Sequence, residues 1–593
     1  MTQLIEDYAM IGDTETAALV GRDGSIDWLC LPRFDSGSCF AKLLGDYNHG
    51  CWRITADDET SSHVRRYRSR SMVLETEIST RTGVVQVVDF MPPRHRHPRV
   101  VRIVRGVEGK VLMRTDLVMR FEYGYDVPWV RRTDRGLVAI AGPNALVLDS
   151  PIELKGLRMR HEATFTVHAG EEVAFGLAWY RSHEDPPFVL DTARALEETM
   201  KFWNDWCAGV LPVYGEWEDL ALRSLMTLKG LTYGPTGGVV AAATTSLPES
   251  LGGVHNWDYR YCWIRDAALT LESLIGSGLR EEAESWLAWL GRVAAGDPEQ
   301  LQIMYGPAGE RRLTELEAEW LPGYEGSSPV RMGNAAFGQF QLDVYGHLMD
   351  AIDRARSHDI AVDEVIWRIQ VAITRFLVDH WSDPDDGIWE VRGPRRQFTH
   401  SKVMTWVAFD RAVRGVEVHG LEGPADEWRV VRDAIHAEVC EKGWNADVGA
   451  FTQFYGADQL DASLLMIPIV GFLPADDERV VRTVDTIQEH LMEDGLVLRY
   501  ANESGVDGLP GREGVFLPCT LWLVGCLRLM GRVDEATAVF RRVIALVNDV
   551  GLISEEYDPV RQRLLGNFPQ AFTHVGIVNA ARGLTASRTG NQA

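Results

Sequence analysis

The hydrophobic and polar positions of the chain change period about one third of the way along. Residues 1 to about 185 carry short alternating or apolar runs separated by turn residues, such as Val84-Val85-Gln86-Val87-Val88, Val100-Val101-Arg102-Ile103-Val104, Leu137-Val138-Ala139-Ile140 and Thr164-Phe165-Thr166-Val167. Many short strands with regular turn signals predict an antiparallel β-sandwich. After the Pro186-Pro187 break, residues 192–206 read as one linking helix. From Glu216 onward the spacing of apolar residues is helical. The pattern predicts about twelve helices, at 216–233, 264–278, 280–296, 335–356, 362–381, 400–415, 424–441, 457–468, 476–491, 515–531, 533–549 and 570–585.

The gaps between these helices alternate in length. Those after even-numbered helices are short. Those after odd-numbered helices are long: 234–263, 297–334, 382–399, 442–456, 492–514 and 550–569. In an up-down array the long connections all emerge at one end. Twelve helices in six hairpins close into an (α/α)6 barrel, and six long loops then surround one mouth. A solenoid is the competing arrangement, but the chain has no repeat of fixed period. The expected organisation is a sandwich domain over 1–185, a helical linker over 186–215 and a barrel domain over 216–593.

Composition narrows the function. Hydrophobic residues make up 46% of the 593, which excludes a disordered chain. The net charge of −25 argues against a nucleic-acid partner, and the Arg-rich stretches near 65–70 and 94–105 have acids beside them. The start, Met1-Thr2-Gln3-Leu4-Ile5-Glu6-Asp7, has no basic and apolar leader, and no run is long enough to span a membrane. Eight scattered cysteines without a C-x-x-C pair read as reduced core thiols. The expectation is a cytoplasmic protein with no membrane or nucleic-acid partner and the option of a homo-oligomer. Phosphate-binding, serine-hydrolase and zinc motifs are missing, so no cofactor and no metal are expected.

The long loops hold acids, arginines and aromatics instead. Loop one ends in Asn256-Trp257-Asp258-Tyr259-Arg260-Tyr261-Cys262-Trp263-Ile264-Arg265-Asp266. Loop five carries Asp386-Gly387-Ile388-Trp389-Glu390-Val391-Arg392-Gly393, loop nine Leu498-Arg499-Tyr500, and loop eleven Ile553-Ser554-Glu555-Glu556-Tyr557-Asp558-Pro559. Aromatic faces stack on the C–H face of a sugar, while guanidinium and carboxylate groups take its hydroxyls. Two carboxylates on different loops suit glycoside hydrolysis. Each motif taken alone also reads as a core cluster or a solvated turn. Their coincidence on one barrel face favours the catalytic reading.

The run from Trp257 to Asp266, Gly387-Ile388-Trp389-Glu390 and Ser554-Glu555-Glu556-Tyr557-Asp558 resemble glycoside hydrolase family 15, which contains glucoamylases, glucodextranases and prokaryotic trehalases. The opening Ile11-Gly12-Asp13 and Ala17 to Trp28 are similar to the start of its prokaryotic members, so the resemblance spans nearly the whole chain. It implies a β-supersandwich followed by an (α/α)6 barrel, an α+β multidomain fold. It implies Glu390 as general acid and Glu555 as general base. Arg265 and Asp266 would hold the non-reducing glucose, with Arg499 as a second sugar-binding arginine. Tyr259 would contact the base and its water, and Phe572 would sit near that water. Trp263, Trp389 and Glu556 fall in the same motifs as substrate-binding residues. The leaving-group side departs from fungal glucoamylases: Val391 replaces a second Glu, and Gly326-Ser327-Ser328-Pro329 replaces Trp-Gly-Arg-Pro.

The implied reaction is inverting exo-hydrolysis that releases β-glucose, with the two carboxyl groups ~6.5–9.5 Å apart. Short α-glucosides, isomaltose or malto-oligosaccharides, are the first expected substrates and α,α-trehalose the second. A non-catalytic sugar-binding protein and a phosphorylase rank lower, the latter because Glu555 would repel phosphate.

Overall fold

The computed structural model describes residues 3–213, 215–501 and 512–589. Its first part is antiparallel throughout, and its strands form two sheets joined by one long strand, Arg99–Val118. The first half of that strand pairs with Gly83–Phe90 and Glu172–Arg181. Its second half pairs with Cys51–Ala56 and Arg160–His168. The changeover falls at Gly106 to Gly109. Gly109 has φ +61°, and a Cβ there would stand 2.3 Å from the Thr82 carbonyl oxygen, so only glycine lets the strand turn at this point. Between the sheets Trp52 meets Phe175 edge-on at 6.3 Å, and Phe165 packs on Phe175. A fully buried Arg102 ties the layers together, pairing with Asp89 and donating to the carbonyls of Trp52 and Gly24.

Helix α1 (Thr192–Ala208) leads into the barrel. The barrel helices are α2 (Glu218–Gly230), α3 (Ile264–Gly276), α4 (Arg280–Val293), α5 (Asp343–Ser357), α6 (Glu364–His380), α7 (Thr399–Glu417), α8 (Ala425–Glu438), α9 (Met466–Ile469), α10 (Glu478–His490), α11 (Leu517–Leu529), α12 (Val533–Ile544) and α13 (Ala571–Thr589). α3, α5, α7, α9, α11 and α13 contact one another in a closed ring. α5, α7 and α11 are buried along nearly their whole length, as inner-ring helices must be. The outer helices bury one stripe: Val480, Thr483, Val484 and Ile487 on α10, and Ala536, Val539, Phe540 and Val543 on α12. The architecture is the expected sandwich followed by an (α/α)6 barrel. The long loops all feed the N-termini of inner helices and so share one end.

Two helices differ from the periodicity. Residues 335–338 form only a 3-10 turn capped by Asn334, and α5 starts eight residues after the predicted position. The intervening amides are taken by loop five: Phe340 N–H donates to Asp386 and Leu342 N–H to Asp385, which holds that segment extended. The predicted helix 457–468 reduces to a 3-10 turn at Ala462–Leu465 and the single-turn α9. Asp461 caps it by accepting from the Ser463 N–H. Pro468 is tolerated only in such a first turn, and Gly471 at φ +78° ends the segment. All eight cysteines are free thiols. Among the described residues no helix is long and apolar enough to cross a membrane.

The sandwich grips loop one of the barrel. Arg260 is 1% exposed and pairs with Asp258 at 2.6 Å. Its guanidinium also donates to the carbonyl of Ser36 and lies over the rings of Tyr123 and Trp28. Trp28 in turn donates to the Ala243 carbonyl. Tyr259 and Tyr261 flank this arginine, so the sandwich fixes the backbone that aims Tyr259 at the mouth. Arg260→Leu leaves Asp258 buried and uncompensated. The expected loss is roughly 3–5 kcal/mol of stability, read by denaturant unfolding. A change below ~1 kcal/mol would mean that the contact is dispensable.

Candidate active site

The mouth is built from the N-terminal end of α3 outward. A two-residue strand, Cys262–Trp263, pairs with Met304–Tyr305 and delivers the chain directly into α3. Arg265 and Asp266 therefore stand in the first helical turn, where the helix N-terminus favours the Asp266 carboxylate. Arg265 pairs with Asp266 at 2.9 Å and donates to the Ile388 carbonyl at 2.6 Å. Its other terminal nitrogen lies 3.9 Å from Glu390 Oε1. Beneath it, Asp343 at the start of α5 is pushed up to about 7 by burial and by Asp385, against the pull of Arg265.

Glu390 sits on a bent segment of loop five. Its own φ is +57°, a strained value for a non-glycine residue, and Gly387 three residues earlier has φ +69°. A Cβ on Gly387 would overlap the ring of Phe398, so the turn needs its glycine. Gln339 holds the bend by donating to the carbonyls of Glu390 and Val391. Trp263 Nε1 donates to Glu390 Oε1 at 2.6 Å. Burial raises the Glu390 carboxyl above its ordinary 4.5. Asp266 and Glu249 add to the shift, and Arg265 and Trp263 oppose it.

Glu555 lies deeper and is fully buried. Its Oε2 accepts from the Asn567 N–H, and Oε1 has no hydrogen-bond partner among the described residues. An orphaned carboxylate oxygen in a buried polar site is a place for a water molecule. Burial and then Glu249 push its pKa well above 4.5, while the Tyr259 hydroxyl, Arg499 and the Asn567 amide favour its ionised form. Tyr259 stands between the two acids. Its hydroxyl favours the ionised form of Glu555, it feels the charge of Glu390, and it packs edge-on against Trp263 at 5.2 Å. Gly566 (φ +73°) makes room for Glu555: a Cβ there would stand 2.6 Å from its Oε2.

Arg499 balances the charge of the inner wall. One of its terminal nitrogens lies 2.6 Å from Glu249, 2.7 Å from Glu513 and 3.2 Å from Glu556. Oxygens of these three acids lie within 4.8 Å of one another, a spacing that would suit a cation. The guanidinium already places a fixed positive charge among them. It also stacks over Phe516 and Trp389. Trp389 is held by its Nε1, which donates to Asp461 at 3.0 Å.

The pocket lining includes Tyr259, Arg265, Trp389, Glu390, Arg499, Tyr500 and Phe516. Trp263, Asp266 and Glu556 touch it through their bonds to Glu390, Arg265 and Arg499. Phe572 is placed differently. It packs behind the pocket against Phe516 and Trp522 and lines a separate cavity. Sequence reasoning missed Glu249, His255, Asn334 and Glu513, and quoted Trp257 and Arg392 only within longer motifs, yet all six line the pocket. Trp257 is clamped between Arg331 and Arg392, whose guanidinium carbons lie 4.4 and 4.2 Å from its ring centre.

Two carboxyl groups on separate loops, aromatic walls and fixed arginines at the mouth of this barrel define a glycoside hydrolase. The family model of glycosyl hydrolases family 15 matches residues 215–582, and that of the trehalase-like N-terminal domain matches residues 1–182. The chain belongs to glycosyl hydrolases family 15. A trehalase of Mycobacterium tuberculosis is 38% identical over 97% of this chain and 89% of its own length. A trehalase of Thermoplasma volcanium is 34% identical over 97% of this chain and 93% of its own. In structure, a bacterial glucoamylase complexed with acarbose superposes with a TM-score of 0.73 at 12% identity, covering 99% of this chain and 94% of that one.

Gly566→Ala tests the packing behind Glu555. The added methyl must displace that carboxylate, and hydrolytic turnover is expected to fall on the order of a hundredfold with the fold intact. Unchanged turnover would show that the position of Glu555 is not critical.

Proposed function

We propose that the protein is an α,α-trehalase that hydrolyses its substrate with inversion. The observation that carries this reading is the likeness along nearly the whole chain, sandwich included, to trehalases of mycobacteria and archaea. This ranks trehalose above the isomaltose and malto-oligosaccharides that the motifs alone placed first.

In this reading one glucose unit lies against Trp389 and Phe516, with hydroxyls held by Arg265, Asp266 and Arg499. Glu390, whose protonated form burial favours, gives its proton to the glycosidic oxygen as the bond from that oxygen to the anomeric carbon breaks. A water seated at the unpartnered Oε1 of Glu555 attacks the same carbon from the opposite face and yields its proton to Glu555. The attacked glucose leaves as the β anomer and its partner keeps the α configuration. Tyr259 orients Glu555, and Glu556 acts through Arg499. The second glucose falls toward His255, Trp257, Asn334 and Arg392, a wall dense in hydroxyl partners.

Early-time proton NMR on trehalose, maltose and isomaltose in parallel tests the substrate and the stereochemistry together. Equal amounts of α- and β-glucose from trehalose, with little turnover of the other two, are expected. Release of β-glucose from maltose or isomaltose, with trehalose untouched, would restore the first-ranked substrates. Glu390→Gln is expected to fold normally and to lose roughly 10²–10⁴-fold in turnover. Wild-type rates in that variant would place the acid elsewhere.

A further inference from the structure

At the end of the barrel opposite the mouth, the inner helices α3, α9, α11 and α13 enclose a second cavity of about 680 Å³. This is the size of a small-molecule site. Small residues open it: Gly276, Gly525, Gly576 and Ala580 face the space. Its walls are aliphatic, including Ile275, Ile469, Leu521 and Val575, and its inner end is closed by Trp522 and Phe572. Phe572 and Arg582 are ten residues apart on α13, so the cavity runs about 15 Å from rim to end.

The rim carries two cations without a partner. Arg528 in the last turn of α11 and Arg582 on α13 make no side-chain hydrogen bond or ion pair with any described residue. Both are laid across neighbouring helices by glycines. A Cβ on Gly276 would come 3.2 Å from Arg582 Nε, and one on Gly583 would come 2.8 Å from Arg528 Nε. The remaining charges at the rim are spent on each other: Arg354 pairs with Glu272 at 2.9 Å and with Asp350 at 2.8 Å. His358 is turned onto the Arg354 carbonyl. Every other charged side chain at this rim has a partner, and the two arginines leave it positive. A half-buried guanidinium without a counter-charge is costly to hold, and its position beside a deep apolar space asks for an anion with an apolar body.

We propose that this cavity is a binding site for an amphipathic monocarboxylate, a medium-length acyl chain with one acid group. The carboxylate is bridged by Arg528 and Arg582 at the rim, and the chain extends along α13 to Trp522. The site is distinct from the sugar pocket. The two approach each other through a wall where Trp522 lies 6.1 Å from Trp389 and Phe572 lies 6.5 Å from Phe516. No bond is made or broken there, and the site is independent of which α-glucoside the mouth accepts.

The test is calorimetric titration of the full chain with decanoate. Decanol and decyltrimethylammonium supply the same chain without the anion. Saturable one-to-one binding of decanoate is expected, with the two controls at least about tenfold weaker. The double variant Arg528→Gln/Arg582→Gln is expected to lose about tenfold or more in affinity while hydrolysing its sugar substrate at the wild-type rate. Ala580→Phe fills the cavity and is expected to abolish binding. If that variant fails to fold, the arginine pair decides the question. No saturable binding of decanoate, equal binding of the alkylammonium, or undiminished binding in the folded arginine variant would each overturn the proposal.

Discussion

The site depends on holding many carboxyl groups in a small, buried space. Glu249, Glu390, Glu513, Glu555 and Glu556 converge with Asp266 at the inner end of the mouth, and two arginines answer them. Arg499 is shared by three acids, and Arg265 is shared between Asp266 and Glu390. Neither arginine cancels the charge in full. The residual field, together with burial, raises both Glu390 and Glu555. The two acids nevertheless differ in surroundings. Glu390 reaches the pocket and is tethered by one indole N–H. Glu555 is enclosed, near Tyr259 and bonded by an amide, and one of its oxygens has no partner among the described residues. The proposed roles, Glu390 as proton donor and Glu555 as proton acceptor, rest on that asymmetry.

The rest of the fold exists to keep these groups where they are. Inner helices α5, α7 and α11 are buried along nearly their whole length, and each inner helix carries a loop at its N-terminus. Loop one and the first turn of α3 have the largest task, since together they supply Tyr259, Trp263, Arg265 and Asp266. Loop one is the loop that the sandwich clamps, through Arg260, Asp258 and Trp28. The N-terminal domain is thus a support for the mouth. Further bonds, such as Arg65 to Asp549 and Asn548 to the carbonyls of Glu6 and Tyr8, fix the sandwich to the loop before α13. That loop carries Glu555. Two of the loops that shape the pocket are therefore braced from outside the barrel.

Much of this was legible in the residues. The change from strand to helix period and the alternation of short and long gaps were enough to place six loops at one mouth, because amphipathic periodicity is a direct consequence of burial. Motifs whose members are adjacent in sequence, such as Trp263 to Asp266 or Trp389-Glu390, were legible for the same reason. Glu249, His255 and Glu513 were not, because each is a single residue whose place depends on how distant loops meet. Phe572 shows the converse. It stands in the first turn of α13 at the mouth end of the barrel, yet its ring turns behind the pocket into the barrel interior. The helix expected at 457–468 failed because side-chain caps from Asp461 outcompete helical propensity over so short a stretch.

The central claim is that burial and an uncancelled negative field raise both carboxyl groups and yet leave one as acid and one as base. The pH dependence of kcat/KM on trehalose reports the essential acid and base of the free enzyme. The account predicts a bell-shaped profile. Both limbs, one set by the proposed base and one by the proposed acid, lie above 4.5, because burial raises both carboxyl groups. Glu390→Gln should lose the basic limb along with most of its rate. A profile with a single limb, or an acidic limb below 4.5, would contradict the account.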